Sequence, residues 1–218
     1  MIPSRILTFA DDFKALFSAF LRKDSSMTLA EWQPLAEQGL ADAQCNLGLI
    51  YSSGQGGAPQ DYAAAIKWFT AAAEQEFAAA QNNLGAMYDN GQGVAQDYET
   101  AIKWYSAAAE QKFAVAQNNL GAMCHKGHGV PQDYEAAIKW YTAAAEQGVA
   151  DAQINLGLMY VQGQGVPKDY VRAHMWWNLA AALKHKDAAN NLKIVTKMMT
   201  APQIQEAQKL ARQWAEKH

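Results

Sequence analysis

Cysteine is scarce. Cys45 and Cys124 are the two in 218 residues, too few and too far apart for the disulfide framework of a small secreted domain. A surplus of positive charge is missing as well. The 18 Lys and Arg against 21 Asp and Glu leave a formal charge of −3, so little is available to neutralise a phosphate backbone and no nucleic-acid partner is expected. Long apolar runs are also lacking, because Lys, Glu, Gln or Asn breaks each stretch well short of the roughly 20 residues that cross a bilayer. No transmembrane segment is expected. In the opening stretch MIPSRILTFADDFKALFSAFLRKDSS, Asp11, Asp12 and Lys14 interrupt what would be the apolar region of a secretory signal. Together these absences favour a soluble chain in a reducing compartment, hence a cytoplasmic location, with a periplasmic or secreted one as the alternative.

Self-similarity is what the chain has. AQCNLG at 43–48 returns as AQNNLG at 80–85, AQNNLG at 116–121 and AQINLG at 152–157. A second block keeps step: AIKWFTAAAEQ at 65–75 recurs at 101–111 and 137–147, then loosely as AHMWWNLAAAL at 173–183. Trp68, Trp104, Trp140 and Trp176 are therefore 36 residues apart. Between the blocks lies a Gly-rich hinge, NGQGVAQDY at 90–98, KGHGVPQDY at 126–134 and QGQGVPKDY at 162–170, and the first hinge, SGQGGAPQDY at 53–62, has one residue more.

Both blocks have helical spacing. Ala43, Leu47, Ile50 and Tyr51 fall at i, i+4, i+7 and i+8, which is one apolar helix face, and Tyr62, Ala65, Phe69 and Ala72 form another, with Asp61 placed as an N-cap. Each unit then reads as an antiparallel helix pair that cannot bury both faces alone, so neighbouring pairs must stack. Gly48, Gly85, Gly121 and Gly157 stand in mid-helix, where glycine costs about 1 kcal/mol against alanine. Their recurrence predicts that another helix crosses at that point.

The pattern AxAQxNLGxxYxxGxGVxxDYxxAxxWxxxAA resembles the Sel-1-like repeat family, relatives of tetratricopeptide repeats with a slightly longer unit. The resemblance implies an all-α fold, a right-handed α/α superhelix (solenoid) of antiparallel helix pairs, acting as an adaptor or scaffold in protein complexes without common catalytic residues. Some bacterial members carry a disulfide in each repeat; this chain departs from them, since its two cysteines occupy different positions in different repeats. The expected organisation is an amphipathic cap helix and a degenerate half repeat at 1–39, repeats at 40–76, 77–112, 113–148 and 149–184, and a partial repeat with a C-terminal capping helix at 185–218. In the first of these, Phe9, Phe13, Leu16, Phe17 and Phe20 give a strongly apolar face for packing as a cap, with a partner, self-association or a membrane surface as the alternatives, and WQPLAEQG aligns Trp32 with Phe69. At the other end, Thr200 with Gln203 forms a capping-box pattern ahead of the last helix.

Candidate chemical sites are few. CHKGH at 124–128 places one Cys and two His within five residues, but Cys124 stands where other copies have a core Tyr and no second ligand cluster appears, so no metal and no cofactor is expected. The GQG and GHG loops join helices and lack the preceding strand of a phosphate loop. The tryptophans read as repeat-packing residues, and Asn46, Asn83, Asn119 and Asn155 as bonding backbone within the stack. No nucleophile and base can be assembled, and the chain is not expected to be an enzyme.

What varies from copy to copy forms a stripe on the first helix of each unit: Cys45, Leu49, Ser52 and Ser53, then Asn82, Ala86, Asp89 and Asn90, then Asn118, Ala122, His125 and Lys126, then Ile154, Leu158, Val161 and Gln162. In a superhelix the first helices line the concave side, so Asn82, Asp89, Asn90, Asn118, His125, Lys126, Ile154, Leu158 and Val161 are the expected groove that holds a partner protein or peptide. A monomer is favoured. The alternatives are an immunity or regulatory protein that occludes a toxic enzyme, and a cell-wall-related hydrolase or small-molecule binder.

Overall fold

A computed structural model describes residues 28–217. The amphipathic segment with Phe9, Phe13, Leu16, Phe17 and Phe20 lies outside the described residues. Among those residues there are eleven helices and no strand: α1 (Leu29–Glu37), α2 (Ala41–Ser53), α3 (Tyr62–Ala73), α4 (Ala78–Asn90), α5 (Tyr98–Glu110), α6 (Ala114–Lys126), α7 (Tyr134–Glu146), α8 (Ala150–Gln162), α9 (Tyr170–Ala182), α10 (Lys186–Thr196) and α11 (Ala201–Ala215). None is long and apolar enough to cross a membrane. The chain divides into two compact units, residues 1–97 and 98–218.

Helix boundaries follow the hinge residues. Asp61, Asp133 and Asp169 accept backbone N–H groups of Ala64, Ala136 and Arg172 at 2.9–3.0 Å, capping α3, α7 and α9. First helices end on a glycine in the left-handed conformation; Gly127 at φ 71° closes α6, where an L side chain would be strained. The Gln of the hinge binds the end of the same first helix, as Gln132 Nε2 does by donating to the His125 carbonyl at 2.9 Å. The second hinge glycine meets the preceding repeat: a Cβ on Gly129 (φ 70°) would lie 2.8 Å from the backbone of Tyr98. The extra residue of the first hinge is absorbed at Gly57, which adopts φ 92° with open space around it.

In the first unit, α2 and α3 run antiparallel: the Asp61 N–H donates to the Tyr51 carbonyl at 2.8 Å at one end, and Gln75 Nε2 donates to Gln44 Oε1 at 2.8 Å at the other. The second unit repeats this with Asp133 to Tyr-equivalent Cys124 and Gln147 to Gln117. Mid-helix glycines let the partners touch. The Phe69 ring lies 2.5 Å from where a Gly48 Cβ would stand, Tyr141 lies 2.8 Å from that of Gly121, and Trp177 covers Gly157. The expected crossing is therefore present, made by the second helix of the same repeat. Apolar side chains join neighbouring helices: Trp32, Leu35, Ala43 and Leu47 join α1 to α2, and Tyr141, Leu156, Met159, Trp176 and Leu179 join α7, α8 and α9. The last helix, α11, starts with the Thr200 N–H donating to Gln203 Oε1 at 2.8 Å, and sets Trp214 edge-on against Trp176 at 6.0 Å.

Candidate interaction surface

A buried polar residue recurs in the first helix of each repeat. Gln44, Gln81, Gln117 and Gln153 are buried, and each side chain donates back to the preceding second helix, to the carbonyls of Ala36, Ala73, Ala109 and Ala145 at 3.2–3.3 Å. Sequence reasoning passed over these glutamines. Their signal was a polar residue beside the buried Ala and Leu of every first helix. The asparagines were placed on backbone, and Asn46 does bind the Asp42 carbonyl at 3.0 Å. Others reach back one repeat to a side chain instead: Asn83 Nδ2 lies 3.9 Å from Cys45 Sγ in the first unit, and Asn155 Nδ2 donates to Asn118 Oδ1 at 3.1 Å in the second.

This interlock narrows the variable stripe. Cys45 and Asn118 receive the next repeat's asparagine, so a residue there adapts to its neighbour rather than facing an open groove. Cys45 is buried, and so is Asn82. Elsewhere in the first unit, Asp89 is half-buried and Asn90 exposed, with Asn90 Nδ2 turned onto the Ala86 carbonyl at 2.8 Å. In the second unit, His125 is half-buried, its Nε2 set 3.1 Å from Gln164 Oε1, and Gln164 Nε2 donates to Tyr134; this side chain joins two hinges. Ile154 and Val161 are half-buried, Lys126 is exposed in the last turn of α6, and Leu158 is 39% exposed. Asn118, Ile154, Leu158 and Val161, with Lys126, thus share the α6 and α8 faces of one unit. Asn82, Asp89 and Asn90 belong to the other.

CHKGH separates into three environments. Cys124 is buried in the core beside Tyr141, and burial raises its thiol pKa. His125 faces Gln164, and His128 stacks on Tyr98 at 4.4 Å. Cys45 is pushed up to about 12 by burial and by the nearby Asp42 carboxylate. Both thiols are free. A cleft of about 670 Å³ lies against the third hinge, lined by Cys124, Val130, Asp133, Tyr134, Glu135 and Gly165 among others; burial first and the Asp133 charge second raise the Cys124 thiol pKa, the opposite of an activated nucleophile.

Helix pairs with hinge glycines and a buried Gln recur in register four times, and the Sel1 repeat family matches all four, at residues 41–77, 78–113, 114–149 and 150–185. The chain belongs to the Sel1 repeat family. Solved Sel1 structures have the same fold. A protective antigen of uropathogenic Escherichia coli strains that displays an SLR fold is 34% identical, with a TM-score of 0.85 over 96% of this chain. This chain spans 46% of that protein's length. A Sel1 repeat protein from Oxalobacter formigenes is 31% identical, with a TM-score of 0.76 over 93% of this chain and 82% of its own. An immunity protein from Pseudomonas aeruginosa, 20% identical over 95% of this chain and 79% of its own with a TM-score of 0.54, shares the fold alone. Among curated proteins, none matches. Sel1 repeat proteins are generally non-catalytic protein-interaction scaffolds.

Proposed function

We propose that this chain is a non-catalytic adaptor that holds a segment of a partner protein against the first helices α6 and α8 of its second unit. One observation carries this reading. On α8, Leu156 is fully buried while Leu158, two residues on, is 39% exposed at a position where the two middle repeats carry Ala86 and Ala122. A large apolar side chain presented by a rigid, well-packed helix is the anchor type that binding hot spots use. Ile154 and Val161 extend the apolar strip, and Lys126 at its end gives direction to a partner carrying negative charge. The interlocked asparagines and glutamines hold these positions fixed, so a ligand meets a surface that needs no reordering.

The test is affinity capture from the source cell with the intact chain and with Leu158→Asp and Lys126→Glu. Both side chains are exposed, so the variants should melt within a few degrees of the parent. The captured protein should bind each variant at least tenfold more weakly, about 1.4 kcal/mol. A partner retained at full strength by both variants would place the binding surface elsewhere. If the captured protein is an enzyme whose activity stops on binding, the chain is an inhibitor rather than an assembly adaptor.

A further inference from the structure

One position ties each first helix to its hinge, and the third repeat fills it differently. The hinge aspartate donates its N–H to the carbonyl of Tyr51, Tyr88 and Tyr160 in three repeats, at 2.8–3.0 Å, and to that of Cys124 in the other, at 2.9 Å. The three tyrosines are half-buried. In the fourth repeat Arg172 holds the tyrosine ring. Its Nη1 donates to the Tyr160 hydroxyl at 3.1 Å, its guanidinium carbon lies 5.6 Å from the ring centre, and its Nε lies 3.5 Å from the Asp169 carboxylate. Ala136 stands in the place of Arg172 in the third repeat. Ring and guanidinium are therefore both absent there, while the aspartate, Asp133, is kept.

What the two substitutions leave is open. The cleft of about 670 Å³ against the third hinge reaches Cys124 and Ala136, and Val130 and Tyr134 give it further apolar surface. Asp133 and Glu135, both exposed, supply negative charge, and no Lys, Arg or His lines it. We propose that this cleft receives a tyrosine side chain of a partner segment that carries a lysine or arginine beside it. The ring takes the place that Tyr160 has in the next repeat, against Cys124 and Val130. The cation takes that of Arg172, facing Asp133 and Glu135 and the partner's own ring. Aromatic side chains seated in apolar pockets carry much of the energy of protein contacts, and a cation without a ring would gain only the weak attraction of solvent-exposed carboxylates. None of Ile154, Leu158 and Val161 lines the cleft, so it is a subsite beyond the strip on α8.

Tyramine, a phenol ring with an ammonium on a short tether, is the probe. Titrated into the full chain and followed by amide NMR, it should shift Val130, Asp133 and Gly165 selectively. Tyrosol, with a hydroxyl in place of the ammonium, should bind several-fold more weakly, by a margin that shrinks with added salt. Ethanolamine, which has no ring, should leave these amides in place. Cys124→Tyr fills the cleft with the chain's own ring, so it should weaken tyramine by about tenfold or more while its Tm stays at or above the parent's. Glu135→Lys, on an exposed side chain, gives the same reading if that variant folds poorly: tyramine weakens and tyrosol does not. Tyramine binding that survives both variants, or ethanolamine shifting the same amides as strongly, overturns the proposal. So does a parent that sediments as a dimer with a Cys124→Tyr variant that sediments as a monomer, because the occupant would then be a second copy of this chain.

Discussion

Gln153 is fully buried, and its side-chain oxygen has no donor, while its amide nitrogen binds Ala145. In two other repeats the matching oxygen accepts from a glutamine at the end of the second helix, Gln75 to Gln44 and Gln147 to Gln117. Leu183 stands there in the fourth, 53% exposed. Leu183→Gln should therefore stabilise the chain by about 0.5–1.5 kcal/mol, the usual net value of a hydrogen bond to a group otherwise left unmade. A Tm equal to or below that of the parent would refute this account. The glycines make the opposite case. Gly121→Leu drives a side chain into the Tyr141 ring, 2.8 Å from the first added carbon, and should cost several kcal/mol by overpacking. Ala122→Leu, half-buried on the variable side, should cost much less. Glycine positions were legible in the sequence because an unfavourable residue recurring in mid-helix demands a cause. The glutamines were not, since a polar residue at such a position reads as exposed until the carbonyl it meets is known.

At the scale of helices, the 3.6-residue periodicity and the hinge signals located the pairs, and Asp61 and Thr200 began the helices assigned to them. The variable stripe was read less well. Variation between copies marks a ligand surface only where no neighbouring copy covers it, and at position 45 the next repeat's asparagine does. The same packing sets the chemistry of the two cysteines, which lie on the buried faces of α2 and α6. Their thiols are held protonated above the ordinary value, to about 12 at Cys45, so at pH 8 neither should react with a disulfide reagent until the chain unfolds. The sign for stability follows. A thiol whose folded pKa is raised contributes in full below its unfolded value of about 9 and loses that contribution as pH rises toward 12. Urea midpoints should be level from pH 7 to 8.5 and fall above it. Cys45→Ser should flatten that fall, and an unchanged slope would remove burial as its cause.

For the whole molecule, a repeat array is stabilised by nearest-neighbour contacts, so its parts need not open together. Within the second unit the contrast between helices is large. Six residues of α6 are buried, but α10 buries Ala188 and Val195 and α11 buries Ala207 and Ala211. A polar link from the start of α10 back to α8 is His185 Nε2 on the exposed Asp151 at 2.9 Å, and pairs open to solvent contribute about 0–1 kcal/mol. The junction just before it holds the unsatisfied oxygen of Gln153. Native-state hydrogen exchange should therefore show α10 and α11 opening first, with α6, α7 and α8 protected to the level of global unfolding. Leu183→Gln acts at that junction, closing the α8 to α9 contact on which the terminal helices rest. It should slow exchange at the end of α9 and in α10 while leaving α6 unchanged. Equal protection from α6 through α11 in the parent chain would mean that the end is held by contacts beyond these, and the local account of its stability would fail.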